Sequence, residues 1–398
     1  MGTGHTHSHL VEAPARVRNQ MLVAVLPFVI ATLIGLGILW PREPPPISRE
    51  LGFVADLVKG EVVAIEPISC GGEEPVGDLP EGQSCMSLDV RLTEGESKGQ
   101  VVTPLPSEEP AGRPFSEGDK VLLGYSPDSP PGLRYYFADF QRQLPLALLA
   151  VIFAAVVVAL GRWRGVAALG GFAMSLGVIT FFILPAILAG RSPLAVSIIG
   201  ASAIMLLALY LAHGVNVQTT SAVLGTFISL GLTGLLALVF VEAASLTGFA
   251  SEEAIFVNIS AEQVNLQGLL LGGIIIGSLG VLDDVTITQA SAVWELHAAN
   301  PAFGARDLYH SALRIGRHHI ASTVNTLLLA YAGASLPLLI LFTLAGARFG
   351  VVVNGEIVAQ EIVRTLVGSI GLVASVPITT GLASFVASRS PETVTAEG

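Results

Sequence analysis

Apolar residues along the chain fall into eight long runs, separated by shorter polar segments. Each run is close to the roughly 20 residues that an α-helix needs to cross about 30 Å of hydrocarbon. The spacing predicts transmembrane helices at residues 21–40, 144–160, 165–188, 193–212, 218–240, 265–291, 321–345 and 365–387. The fold class expected from this pattern is a polytopic α-helical membrane protein.

Between the first two runs the pattern changes to short alternating segments such as VVAIEPI, SLDVRL, QVVTPL and DKVLLGY. A period of two, interrupted by Gly, Pro and acidic residues, is typical of β-strands. This segment is therefore predicted to form a small β-rich domain, a barrel or sandwich for which an OB-like barrel is one choice. The expected domain plan is a tail at 1–20, an anchor helix at 21–40, the β-rich domain with linkers at 41–143, a seven-helix bundle at 144–390 and a tail at 391–398.

The first run has the character of a secretory signal, but the sequence after it favours a retained anchor. It is long, and WPREPPP follows it in place of a small-residue cleavage site. A removed signal peptide is therefore not expected.

Composition adds a charge argument to this plan. Charged residues make up 13% of the 398 positions, mean hydropathy is +0.69, and the net charge is −11. Residues 41–143 hold 18 Asp and Glu against 9 Lys and Arg, so the β-rich domain supplies most of the imbalance. Such an acidic surface argues against nucleic-acid binding, which needs a basic footprint.

Arginines between the apolar runs indicate the orientation, because such residues concentrate on the cytoplasmic side of membrane proteins. An even number of spans places both termini on one side. If the termini are inside, eight arginines are cytoplasmic: Arg16, Arg18, Arg162, Arg164, Arg306, Arg314, Arg317 and Arg389. Apart from those in the β-rich domain, the outer side then has only Arg191, Arg348 and Arg364. The expected topology therefore has cytoplasmic termini and an external β-rich domain.

Both cysteines, Cys70 and Cys85, lie in the β-rich domain. In an oxidising compartment a disulfide between them would close a loop of about 15 residues and contribute roughly 3 kcal/mol in the chain-entropy model. Two unpaired thiols are the alternative, because two cysteines alone make a thin pattern.

The run at 265–291 contains two adjacent aspartates, Asp283 and Asp284. Steps of three and four residues place Asp284 on one small and polar helix face, which comprises Gly273, Gly277, Gly280, Asp284, Thr288, Ser291 and Glu295. Because small residues let helices pack closely, this face is expected to point into the protein, with Asp283 beside it. Since burial and mutual repulsion disfavour ionising both carboxyls, the pair is predicted to relay protons. The alternative is a hydrated interfacial pair that ends the helix.

Polar residues in the two following runs have matching positions. Ser322, Thr323, Asn325 and Thr326 gather at the inner half of the seventh run, where they and Thr288 are predicted to support the relay. In the eighth run a small stripe is predicted to pack closely against other helices: Gly368, Gly371, Ser375, Thr379 and Ala383.

The segments GGIIIGSLGVLDDVTITQASAVWEL and ALRIGRHHIASTVNTLLLAYAGASLPLLI closely resemble the YibE/F family of multi-spanning bacterial membrane proteins. The resemblance runs from the first span through the last, and DDVTITQ is its most specific part. It implies a bacterial cell (inner) membrane location. The family's biochemical role is essentially unassigned, so the resemblance does not itself supply a function.

A more distant resemblance links an acidic pair in one helix, followed by R-x-x-I-x-S-T-x-x-T opening the next, to the RND permease superfamily. In that superfamily, which includes the SecD/SecF translocation motor, proton flow through the acidic helix drives an outer domain. The resemblance implies relay positions for Asp283 and Asp284, with Ser322, Thr323 and Thr326 in the facing helix. This chain has more spans before the acidic helix, lacks a central Lys or Arg in a partner helix, and corresponds to one SecD/SecF-like half. A second copy or a homologous partner half is therefore expected.

The predicted function is a proton-coupled transporter or proton-driven membrane device of unknown substrate. The alternative is a non-transporting assembly factor or receptor whose β-rich domain binds a partner. An aspartyl protease is not expected, because neighbouring residues on a helix diverge by about 100° and do not share a proton across one substrate. No enzymatic activity and no cofactor are expected.

The N-terminal tail carries histidines at alternate positions, His5, His7 and His9. Imidazoles at that spacing bind Zn²⁺, Ni²⁺ or Cu²⁺ weakly, and a tail without a dedicated role is the main expectation. Besides a second copy or a homologous half, the predicted partner of the chain is the lipid bilayer.

Overall fold

The structure is a computed structural model of the chain. It describes residues 14–42, 56–69, 84–95, 97–108, 113–127, 129–130, 132–261, 263–346 and 348–390. The chain divides into two compact units, one comprising Met1–Pro46 with Val157–Gly398 and the other Ile47–Val156. We name the first the helical unit and the second the β unit.

The described residues of the β unit form six strands in one antiparallel sheet: β1 (Asp56–Ser69), β2 (Ser84–Leu92), β3 (Val101–Val102), β4 (Ser107–Glu108), β5 (Lys120–Tyr125) and β6 (Tyr135–Phe140). Their order is β3-β2-β1-β5-β6, and β4 also pairs with β2. The four segments whose alternation predicted strands coincide with β1, β2, β3 and β5 or run into them. The alternation did not identify β4 or β6.

The sheet is bent, and among the described residues a single bridge links the segment after β3 to β6. The long strand β1 pairs with both β2 and β5 and carries a bulge between Val62 and Ala64, which bends it. At the far side, Leu105 forms a parallel bridge to Tyr136 of β6. The OB-like barrel stays a prediction. The core of the β unit is apolar and consists of Val62, Leu88, Val90, Leu92, Phe115, Val121, Leu123 and Phe140.

The remaining elements are helices: α1 (Ala15–Leu39), α2 (Gln143–Val178), a π-helical turn (Ile179–Ile183), α3 (Leu184–Leu188), α4 (Pro193–His213), α5 (Val217–Ala243), α6 (Glu252–Ser260), α7 (Leu266–Ala299), α8 (Ala305–Ala334), α9 (Leu336–Leu344), α10 (Phe349–Asn354) and α11 (Glu356–Ala387). The helix α2 starts in the β unit and continues into the helical unit.

The helix α2 is broken at Arg162, which lies between two predicted spans. Its backbone has φ 53° and ψ −131°, outside the helical region. A Cβ added at Gly165 would lie 2.3 Å from the carbonyl oxygen of Val157, whereas residues eight apart in a straight helix are separated by about 12 Å. The chain therefore bends sharply here.

Six of the described helices are long and apolar enough to cross a membrane, or up to seven if the bent pair α8 and α9 forms one span. One of the six is the 46-residue stretch Gln143–Leu188. It would reach about 69 Å if straight, more than twice the hydrocarbon thickness, and it contains the break at Arg162. If this stretch is divided there and α8 with α9 forms one span, the number of spans is the predicted eight, which stays a prediction.

The seventh predicted span differs from the structure. The run at 321–345 falls on α8 and α9, which meet at an angle of 61°, and α8 already begins at Ala305. Pro337 lies in the first turn of α9. Because proline lacks an N–H and its ring disfavours helix in the residue before it, the break beside Ser335 has a local cause.

Small residues set the close packing of α4, α5, α7 and α11. A Cβ added at Gly371 of α11 would lie 2.0 Å from Oγ1 of Thr233 on α5, and one added at Gly272 of α7 would lie 2.3 Å from Oγ of Ser197 on α4. Gly225 stands equally close to Thr379. The predicted packing role of the small stripe in α11 is therefore confirmed.

Buried hydroxyls in this core are satisfied largely within their own helices. Thr226, Thr233 and Thr380 each donate to the carbonyl four residues earlier, at 3.0, 2.8 and 2.6 Å. Such a bond lets a polar residue occupy an apolar interface without leaving its donor unpaired.

The Gly371–Thr233 contact predicts a strong steric effect. Gly371→Ala should lower the free energy of unfolding by about 1–3 kcal/mol, because the added methyl group overpacks the α5–α11 interface. Thermal unfolding in detergent measures this effect. Gly231→Ala on α5 is the matched control, since nothing lies within 4 Å of its added Cβ; equal melting temperatures for the two variants would contradict the assignment.

Candidate functional site

The two aspartates lie near the middle of α7, not at its end. Asn265 caps the helix by accepting a hydrogen bond from the Gly268 amide at 2.5 Å, and the helix continues to Ala299. At 1.5 Å per residue, Asp283 is about 26 Å from the first helical residue and about 24 Å from the last. The pair therefore does not end the helix, and its depth in the membrane stays a prediction.

Asp283 is half-buried, and its Oδ1 atom is enclosed without a hydrogen-bond partner among the described residues. One turn away, the hydroxyl of Thr286 donates to the Asp283 carbonyl oxygen at 3.2 Å and lies 2.7 Å from the hydroxyl of Thr226 on α5. The ion pairs found in the described part of the chain involve neither aspartate. A buried carboxyl oxygen without a partner is costly, which marks this position as unusual.

Asp284 is exposed, and the expectation that its helix face points into the protein is wrong. Its small and polar neighbours on that face are exposed as well, and we name this set the open face of α7: Gly273, Gly277, Gly280, Asp284, Thr288 and Glu295. Ser291, the remaining member of the predicted stripe, is half-buried and accepts a hydrogen bond from Gln218 at 2.6 Å.

The error has a physical reason. The neighbouring helices cover the opposite, mainly apolar side of α7, where Ile275, Leu279 and Leu282 are buried. The small residues that permit this packing are Gly272 and Ser278, which lie outside the stripe. A small residue on a helix makes close packing feasible but does not choose which face a neighbour takes.

The open face forms a continuous track along α7. From Gly273 to Glu295 it extends about 33 Å, close to the hydrocarbon thickness of a bilayer, and it carries no large apolar side chain. Lipid tails offer no hydrogen bonds to such a surface. In a membrane, this track would favour water or another polar partner over lipid.

The structure does not bring the predicted supporting residues into contact with the aspartates through any hydrogen bond among the described residues. Thr288 lies on the open face, while Ser322, Asn325 and Thr326 are exposed on α8. The hydroxyls of Thr323 and Thr326 donate to their own helix, to the carbonyls of His319 at 2.9 Å and Ser322 at 3.0 Å. Their support of the relay stays a prediction.

Three buried contacts of α7 were not anticipated from the sequence. Gln289 is buried and donates to the carbonyl of Ala312 on α8 at 2.8 Å. His297 is also buried and contacts the carbonyl of Ser390 at 3.2 Å, and the third contact is the Gln218–Ser291 bond. The sequence contained one signal for such contacts, which is a polar residue on an otherwise apolar helix face. Gln289 is an example, because it shares a face of α7 with Leu282 and Val293.

Other predicted site residues lie partly outside the described residues. Cys85 is buried in β2, while Cys70 is outside the described residues, so the predicted disulfide stays a prediction. The histidines His5, His7 and His9 are also outside them.

Comparison with known proteins identifies a family. A family model described as "YibE/F-like protein" matches residues 149–389, from α2 to just beyond α11. The match therefore starts later than the first span, from which the resemblance was expected to run, and it does not include the β strands. No curated protein and no solved structure matches the chain. None of these comparisons supports the resemblance to RND permeases.

The contrast between two polar residues of α7 is testable by thermal unfolding. Asp283→Asn should leave the melting temperature unchanged or raise it, because the replaced oxygen has no partner to lose. Gln289→Ala should lower the free energy of unfolding by about 1–3 kcal/mol, since it removes a buried bond to α8. A larger loss for Asp283→Asn than for Gln289→Ala would contradict this account.

Proposed function

The chain belongs to the YibE/F-like family, and from that premise we propose that it is a proton-coupled membrane device in which Asp283 and Asp284 carry protons. Its long apolar helices and its family make it an integral membrane protein. The transported substrate is left open. The observation that carries the proposal is the enclosed, unpartnered Oδ1 of Asp283, in mid-helix and beside the polar open face.

The carboxyl at Asp283 supports proton exchange more than structure. It stabilises no neighbouring element through a side-chain hydrogen bond or ion pair among the described residues. An ionised aspartate at the centre of a membrane helix costs about 2.5–3.5 kcal/mol on insertion scales, and such residues mark ion and proton pathways. Because the Asp283 carboxyl has this free-energy cost and forms no stabilising contact among the described residues, a functional role explains its presence better than a structural one.

The two aspartates differ in surroundings, which suits a relay. Asp284 is exposed on the open face, where water has access, while Asp283 sits about 100° around the helix at the edge of the packed side. In the proposal a proton from water binds Asp284 and passes to Asp283. When the local packing changes, it returns to Asp284 and leaves from there. Uptake from water neutralises one carboxylate of the pair, and the transfer between the two carboxyl groups leaves their combined charge unchanged.

The proposal includes the orientation predicted from the arginines. The termini are cytoplasmic, the β unit lies outside, and the host membrane is a bacterial cell membrane. A second copy or a homologous partner half belongs to the same proposal, because the open face is uncovered in the described part of this chain. Motion of the β unit in response to proton transfer would then be the mechanical output.

Proton flux into vesicles tests the relay. Purified protein in vesicles of phosphatidylethanolamine and phosphatidylglycerol, loaded with a pH-sensitive dye, is exposed to an imposed pH gradient. Asp283→Asn and Asp284→Asn should each reduce flux roughly tenfold or more, since a positioned proton-transfer group typically contributes about 10²–10⁴-fold. The control is Glu242→Gln, an exposed carboxyl near the end of α5, which should retain flux.

Unchanged flux in both aspartate variants would remove the relay. The remaining function would then be the alternative, an assembly factor or receptor whose β unit binds a partner. Loss of cellular function on deleting residues 50–137, without any effect of Asp284→Asn, would favour that alternative.

A further inference from the structure

The open face approaches a tyrosine of α8 at Gly277. A Cβ added at Gly277 would lie 3.6 Å from the hydroxyl oxygen of Tyr331. Gly277 is seven residues before Asp284, about 10 Å along the helix axis. Tyr331 is half-buried, so its hydroxyl reaches the open face from a partly protected position.

The track between Asp284 and Tyr331 passes over Gly280 and Gly277, with the half-buried side chain of Val281 at its edge. Among the described residues, nothing lies within 4 Å of a Cβ added at Gly280. Side chains on a helix lean towards its N-terminus, so the Asp284 carboxyl leans over this stretch. We name the stretch the glycine gutter, formed by Gly277 and Gly280.

Beyond Tyr331 lies a second carboxyl group. Glu361 of α11 accepts a hydrogen bond from Arg364 at 2.8 Å. Tyr331 and Glu361 also line one cavity of about 240 Å³ between α8, α9 and α11. The tyrosine thus stands between the glycine gutter and this cavity.

The start of α11 is firmly held, which fixes the position of Glu361. Glu356, the first residue of that helix, accepts hydrogen bonds from the amides of Thr247 at 2.6 Å and Gly248 at 2.9 Å. It also accepts one from Gln360 at 3.0 Å. Arg364 in turn restrains the Glu361 carboxyl one turn further along.

We propose that protons pass between Asp284 and the cavity through the glycine gutter, with Tyr331 and Glu361 as the next relay groups. The proposal rests on the proposed function and adds to it the route by which protons move between Asp284 and solvent. Water in the gutter receives the proton from the Asp284 carboxyl. The Tyr331 oxygen accepts a proton while its own hydroxyl proton passes to the Glu361 carboxylate, so charge and protons balance, and Glu361 then releases the proton to solvent.

A structural role for Tyr331 would give a different outcome. In that case its ring would fill space beside Gly277, and loss of the hydroxyl alone would have no effect on flux. Tyr331→Phe separates the two roles because it keeps the ring and removes only the oxygen. Tyr309→Phe, on the same helix beside Gly381, is the matched control.

The same vesicle assay tests the pair of groups. Tyr331→Phe and Glu361→Gln should each lower proton flux roughly tenfold, while Tyr309→Phe should retain it. Melting temperatures of the variants show that each is folded. Full flux in both Tyr331→Phe and Glu361→Gln overturns the proposal.

Blocking the gutter provides a second, independent measurement. Gly280→Leu should reduce flux by a similar factor without lowering the melting temperature, because the added side chain enters open space. Gly231→Leu on α5, equally free of neighbours within 4 Å, is the control and should retain flux. Unchanged flux in Gly280→Leu contradicts passage through the gutter.

The two proposals fail in different ways. Retained flux in Asp283→Asn and Asp284→Asn removes the relay itself. Loss of flux in those variants, with full flux in Tyr331→Phe, Glu361→Gln and Gly280→Leu, leaves the aspartate relay standing and assigns its exit to another route.

Discussion

Close approach of α5 and α11, with Gly371 against Thr233 and Gly225 against Thr379, is the contact on which the helical unit depends. Without a hydrophobic driving force between helices in lipid, association relies on van der Waals contact between small residues. The Thr233 hydroxyl donates back to its own helix, whereas the buried Thr379 hydroxyl has no hydrogen-bond partner among the described residues. This geometry holds α7 against both helices, and therefore sets the rotation of the aspartates about the α7 axis.

That rotation divides α7 into two sides with different physical tasks. The apolar side, with Ile275 and Leu282, is buried against its neighbours. The open face carries glycines and polar residues and is left uncovered in the described part of this chain. Asp283 stands at the boundary with an unpartnered oxygen, where a change of protonation would act directly on the packed side.

The open face of α7 lies next to the second half of α8. Gly280 and Gly277 lie on the open face N-terminal to Asp284, and a Cβ added at Gly277 would lie 3.6 Å from the Tyr331 hydroxyl of α8. The helix α8 is buried at only three described positions, Leu308, Ala312 and Gly316, all in its first half. The second half of α8, which carries Tyr331, is thus less constrained by packing than α5, α7 or α11.

The sequence by itself determined the element types. Apolar run length located the membrane helices, and alternation located four of the six strands, because both follow from local periodicity. It also singled out Asp283 and Asp284, since adjacent acids in an apolar run are chemically conspicuous. The family match to residues 149–389 agrees with the resemblance seen around them.

Tertiary structure decided which side of α7 is covered. The stripe from Gly273 to Glu295 had the composition of a packing face, yet α4, α5 and α11 pack on the other side, where Gly272 and Ser278 permit contact. It also decided the continuation of α7 past the aspartates, the break between α8 and α9, and the meeting of Tyr331 with Gly277. These outcomes depend on competition among several possible helix contacts, and a one-dimensional pattern records only which residues could make a contact.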